Sequence, residues 1–245
     1  MAIFGLLFIP MDFNMELIHG RLVKRYKRFL ADVVLDDGTE VTAHCTNSGS
    51  MKSCLEEGAE VRLSPVDDPK RKTRFTWEMI RIGGHWVGIN TSHPNALAYE
   101  WIGRGVIPGL EGITGLRREV KWEDSRFDLY GEEPGEDGLR RACYIEVKNV
   151  TLKEGKRALF PDAVTERGRK HLNTLIRVKR SGMRAVMLYV VQRMDVEIFA
   201  PAREIDPAYA GTLDEAVRRG VEIIVAQARV SPESITFHRI LPVEL

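Results

Sequence analysis

Cysteine is scarce in this 245-residue chain, and the three present, Cys45, Cys54 and Cys143, are an odd count without a C-x-x-C spacing. That excludes a disulfide framework, argues against a zinc cluster and fits a reducing cytoplasm. Net charge is also nearly absent, with 36 basic against 35 acidic side chains, so overall charge selects no partner. No apolar run is long enough to span a bilayer. The N-terminal MAIFGLLFIP lacks a basic n-region and a cleavage signature. It reads as an extra strand or as an extension upstream of a start at Met11 or Met15, not as a leader. No repeat or low-complexity tract is visible. These absences leave a soluble globular protein of one large or two modest domains, with no membrane partner and with homo-oligomerisation open.

Charge is distributed unevenly. From Lys148 to Arg184 eleven Lys/Arg face three acids, a local net of +8 in a nearly neutral chain. Such a segment predicts either a polyanion-binding patch or a solvated helix face.

Residues 15 to about 86 alternate apolar and polar in short runs, and Asp37-Gly38 marks a hairpin. Four or five strands in some seventy residues predict a small OB-like barrel. Its candidate nucleic-acid contacts are Arg21, Lys24, Arg25, Lys27 and Arg28, with Tyr26 or Phe29 as a stacking ring. After Gly83-Gly84 the pattern changes. A helix is expected at PNALAYEWIGRG, strands at about 117–122, 125–130 and 142–150, and a helix capped by Asp162 running to about Arg180. RAVMLYVVQ and VEIFAP read as strands, GTLDEAVRRG as a helix and VEIIVAQ as the closing strand, giving an α/β layered domain.

The stretch YIEVKNV puts Tyr144, Glu146 and Lys148 on one side of a strand and Ile145 and Val147 on the other. Alone, that is a solvated ion pair. Asp128, near the end of SRFDLY, lies one hairpin away. Two carboxylates converging there need a cation, and hard oxygen ligands suit Mg²⁺ or Mn²⁺. Lys148 would orient a water or steady phosphate charge, and Glu100 on the preceding helix would add a further acid. This is a parts list for metal-dependent phosphodiester hydrolysis. The histidines His44, His85 and His93 lack ligand spacing. GLEGITG (109–115) fits no phosphate-binding loop and reads as a turn. Ser48 and Ser50 in TNSGSM have no evident base and read as part of a barrel loop.

D-(x)n-E-x-K across two strands resembles the PD-(D/E)XK nuclease superfamily. More narrowly, HCTNSGSM (44–51), PNALAYEWI (94–102), SRFD (125–128), YIEVKNVTL (144–152), FPDAVTERGRKHL (160–172) and the Gly-Val-Glu-Ile at 220–223 resemble the sugar fermentation stimulation protein A family. The resemblance implies an OB-like β-barrel over residues 1–86 followed by a PD-(D/E)XK nuclease-like α/β domain over 87–245. It implies sequence-nonspecific DNA binding and a regulatory role in sugar (maltose) metabolism. By motif it carries over Asp128 and Glu146 as metal ligands, Val147 as a carbonyl ligand and Lys148 as the catalytic lysine. Glu100 is the expected helical acid, with Glu119 as its competitor, and Arg126, Arg167, Lys170 and His171 are expected near a phosphate. Phe127 stands where the superfamily often has proline before its Asp. Two other readings stay open: a DNA-binding regulator with a vestigial site, and an RNA-binding barrel protein.

Overall fold

In a computed structural model, residues 11–245 are described apart from 14, 136 and 137. MAIFGLLFIP, read above as a strand or an extension, lies outside the described residues. In chain order the strands and helices are β1 (Met11–Asp12), β2 (Ile18–Tyr26), β3 (Leu30–Leu35), β4 (Glu40–His44), β5 (Glu60–Pro65), β6 (Phe75–Ile82), β7 (His85–Gly88) and α1 (His93–Gly103). They continue with β8 (Thr114–Trp122), β9 (Ser125–Pro134), β10 (Arg140–Val150), β11 (Leu152–Glu154), β12 (Arg157–Phe160) and α2 (Glu166–Arg180). The last are β13 (Arg184–Val191), β14 (Ile198–Pro201), α3 (Pro207–Arg218), β15 (Glu222–Val230) and β16 (Ser234–Ile240).

The first unit is a closed five-strand barrel of order β4-β3-β2-β5-β6, shut by a parallel β4–β6 pairing, with β7 appended to β6. Inward-facing residues at alternate strand positions, among them Leu22, Val33, Ala43, Val61, Leu63 and Trp77, fill it. Cys45 and Cys54 sit in this core as free thiols, pushed up in pKa by burial.

The second unit is a seven-strand mixed sheet, β1-β16-β15-β13-β10-β9-β8. Its centre is β13, RAVMLYVV, buried at every position as a parallel strand covered on both faces must be. Val186, Leu188 and Val190 face α1, while Ala185, Met187, Tyr189 and Val191 face α2 and α3. β10 obeys the same alternation. Ile145 and Val147 join the α1 layer, and Tyr144 joins the α2 layer on the side shared by Glu146 and Lys148.

Several elements differ from the expectations. The strand Met11–Asp12 pairs with β16 of the second sheet, so the described residues of the 1–86 stretch contribute to both sheets. α2 is capped by Thr165, whose hydroxyl accepts from Gly168 N at 3.0 Å; Asp162 instead accepts from Ser50 N of the barrel at 2.8 Å. The structure adds the hairpin β11–β12, whose three- and four-residue strands carry too little periodicity to be read, and the final strand β16. Removing the cap with Thr165→Ala is expected to cost about 1 kcal/mol, read as a lower urea midpoint.

The two units meet at a polar seam. Arg193, only 1% exposed, donates to Thr151 O (2.6 Å) and Ser53 Oγ (3.0 Å) and pairs with Asp195. Gly88 N donates to Gln192 O, and a Cβ at Gly88 would fall 2.7 Å from Gln192 Oε1. The seam fixes the barrel against the end of β10, where the site lies.

Candidate active site

β9 and β10 pair in register as far as Leu129↔Ile145 and then part. Toward its start β9 stays with β8, while beyond Ile145 β10 stays with β13. A fork orphans backbone groups on its inner edges. Asp128 fills that gap, since its Oδ2 accepts from Val147 N at 2.8 Å. Its other oxygen accepts from Asn95 Nδ2, on the first turn of α1, at 2.7 Å.

Glu146 is 2% exposed on the α2 side of β10. Its Oε1 accepts from Lys148 Nζ at 2.5 Å and contacts His171 Nδ1 of α2. Lys148 Nζ lies 3.2 Å from His171 Nδ1, and Arg167 Nε 3.4 Å from His171 Nε2. Burial pushes the Glu146 carboxyl up, but His171 and Lys148 outweigh it and hold the group below the ordinary carboxylate range. Asp128 goes the other way. Burial and the neighbouring Glu146 charge raise it, against the pull of Val147 N, Lys148 and Asn95. A buried and a half-buried carboxylate thus repel one another at the fork, the Glu146 charge strongly compensated by its neighbours and the Asp128 charge less so.

The other expected residues fall into three groups. Arg167 and His171 belong to the cluster. Lys170 does not, being turned to Asp124 at 3.3 Å, and Arg126 is exposed on β9 opposite Glu119 at 3.8 Å. Glu100 is a correction: it pairs with Arg104 at 3.2 Å and sits about 140° around α1 from the residue that touches Asp128. Asn95 is the α1 contribution, missed because a search for acids passes over an amide. In the barrel, Arg25 is a brace whose guanidinium donates to Arg28 O, Asn47 O and Gly49 O; Arg21 donates to Gly58 O. Lys24 lies 3.7 Å from Asp32 and over the Tyr26 ring, and the exposed Phe29 stacks on His44. The +8 segment is largely neutralised by distant acids, as in Lys153–Asp195, Lys156–Glu197, Arg157–Glu244, Arg177–Asp124 and Arg184–Glu222. Local charge in sequence therefore overstates the patch on the surface.

Comparison with known proteins follows the same two-part division. Residues 23–89 match the SfsA N-terminal OB domain, and residues 92–234 match the sugar fermentation stimulation protein RE domain. The chain belongs to the sugar fermentation stimulation protein family. A homologue from Geobacter sulfurreducens is 52% identical over 228 residues, covering 93% of this chain and 96% of the relative. One from Paramagnetospirillum magneticum is 50% identical over 236 residues, covering 96% and 98%. Among solved structures, Pyrococcus furiosus SfsA in complex with Ca²⁺ matches with a TM-score of 0.84 at 27% identity, covering 96% of this chain and 98% of that one. No helix among the described residues is long and apolar enough to cross a membrane.

Proposed function

We propose that this family member is a DNA-binding protein that hydrolyses phosphodiester bonds with Mg²⁺ or Mn²⁺ at the fork between β9 and β10, in the manner of the PD-(D/E)XK nucleases. The observation that carries this reading is the convergence of Asp128, Glu146 and Lys148 there. The donors suit a hard cation: the Asp128 oxygens each keep a lone pair, Glu146 Oε2 takes no hydrogen bond among the described residues, and Val147, whose N–H Asp128 accepts, follows Glu146 directly in sequence. No cluster of three or more His, Cys, Asp or Glu suited to a metal occurs among the described residues. The protein would thus supply few ligands and leave the rest to water and phosphate, which is the habit of Mg²⁺. That the Pyrococcus furiosus relative was solved with Ca²⁺ supports divalent binding in the family.

A divalent cation supplies Lewis-acid charge to the phosphate and acidifies water. The chain's own groups do the rest. Glu146 and His171 hold the Lys148 ammonium in one rotamer, so it can orient the attacking water or neutralise charge on the phosphorus oxygens. Asn95 and Val147 N fix the Asp128 carboxylate. Arg167, reaching His171 from α2, offers its two terminal nitrogens to an adjacent phosphate. A role in regulating sugar metabolism would follow from DNA binding. Incubation with plasmid, linear and single-stranded DNA, and with RNA, in Mg²⁺ or Mn²⁺ tests the reading. Cleavage that EDTA abolishes is expected, and intact substrates under every condition would refute it.

A further inference from the structure

The TNSGSM motif forms one wall of a cleft whose other wall is the candidate active site. Its conformation is held from three sides. Arg25 donates to Asn47 O and Gly49 O, Asn47 Oδ1 accepts from Gly49 N, and Thr91 N donates to Thr46 Oγ1. Asp162, across the seam, accepts from Ser50 N and lies so close that a Cβ at Gly49 would fall 2.1 Å from its Oδ2. Between this loop and residues 148–167 lies a space of about 550 Å³.

The lining of this space has two characters. Lys148 and Arg167 of the candidate site line it, together with the hydroxyl-bearing loop. Leu159, Phe160, Pro161 and Val164 add an apolar part to the lining. Val164 is 70% exposed, and it continues the apolar surface that Leu159, Phe160 and Pro161 present to the cleft. Cations beside an apolar floor match one nucleotide, its phosphate toward Lys148 and its base on the apolar part. The volume falls in the range that takes a single small ligand, about 300–1,000 Å³. In a duplex each base is stacked on both faces and paired along its edge, so no base can occupy such a floor without leaving the helix.

We infer that the cleft between the Thr46–Ser50 loop and the Phe160–Val164 segment binds an unpaired nucleotide, so that the site acts on a single strand or an unpaired end in preference to closed duplex. This rests on the phosphodiesterase reading for the identity of the ligand and extends it to the form of the substrate. The barrel acts here through a loop that shapes the cleft, which gives the TNSGSM motif a role beyond closing the barrel. DNA and RNA strands share the chemistry the cleft recognises.

Binding measured by fluorescence anisotropy on the full chain in EDTA tests this without any cleavage. The probes are single-stranded DNA and RNA oligonucleotides and a closed DNA dumbbell whose two loops are ethylene-glycol linkers, so that it has neither ends nor unpaired bases. The better of the two single strands is expected to bind at least about tenfold tighter than the dumbbell, in line with about 1–3 kcal/mol per stacked base. Val164→Asp, at an exposed position, should remove most of that advantage while leaving the thermal midpoint unchanged. A 4-thiothymidine strand should photo-crosslink within residues 46–50 or 159–164 of the wild-type chain. Equal affinity for dumbbell and single strand overturns the inference, as does an unchanged preference in Val164→Asp or crosslinks confined to other segments. Tight single-strand binding without cleavage in Mg²⁺ would refute the phosphodiesterase reading and leave this one standing.

Discussion

Asp128→Asn is expected to lower divalent-dependent cleavage by about 10²–10⁴-fold, the worth of several kcal/mol of cation-borne transition-state stabilisation, in a protein that remains folded. The substitution keeps the shape and both hydrogen bonds. The new amide oxygen can accept from Val147 N, and the new NH₂ can meet Asn95 once that amide turns over. What is lost is the charge. Because burial and Glu146 raise the Asp128 carboxyl, ionising it costs the metal-free protein stability above the ordinary carboxylate pKa. The Asn variant should therefore unfold at the same urea midpoint as wild type, or slightly higher, at neutral pH without metal. Adding Mg²⁺ separates them. Wild type gains stability as RT ln(1 + [L]/Kd), about 2.7 kcal/mol at a hundredfold excess over Kd, and the variant gains almost none. A variant that is inactive because it is misfolded would instead lose its midpoint in both conditions.

Lys148→Met should abolish cleavage to a similar degree and, unlike Asp128→Asn, should also destabilise. It removes the ammonium from a glutamate that is 2% exposed, leaving His171 as the remaining partner of Oε1. Stranding a buried charge costs up to about 3–5 kcal/mol, reduced by what His171 still supplies. The pH dependence has a definite sign. In wild type the Glu146 pKa is depressed by His171 and Lys148, so the stability it contributes is fully present above the ordinary glutamate value near 4.3. That stability is lost as pH falls through the depressed folded value. In Lys148→Met the depression shrinks. The deficit against wild type should be largest near pH 7.5 and should narrow as pH falls below about 4, which urea titrations at both ends would show. A deficit independent of pH would mean that Lys148 stabilises by packing alone.

Much of this site was legible because strand alternation is a rigid rule. Given that 144–150 is a strand, Glu146 and Lys148 must share a face, and they do. The long apolar run at 184–191 likewise had to be a central strand. What stayed hidden depends on distance in the chain. The fork that lets Asp128 replace a ladder partner is a property of three strands at once, and no single segment signals it. The helical residue at the site is Asn95 and not Glu100, because α1 is registered by its apolar face, formed by Leu97, Ala98, Trp101 and Ile102. Arg25 and Asp162 looked like a surface contact and a helix cap. Both are spent on the Asn47–Ser50 loop, whose partners lie 22 to 112 residues away. The basic segment misled for the same reason: its neutralising acids, such as Glu222 and Glu244, come later in the chain.

The proposed hydrolysis would require Asp128 and Glu146 together to hold a divalent cation. Crystals of the wild-type protein soaked in Mn²⁺ would show it directly by anomalous scattering. The account predicts a peak at the β9–β10 fork within about 2.0–2.6 Å of carboxylate oxygens from both Asp128 and Glu146, absent from Asp128→Asn crystals under the same soak. A peak elsewhere on the molecule, with none at the fork, would contradict it.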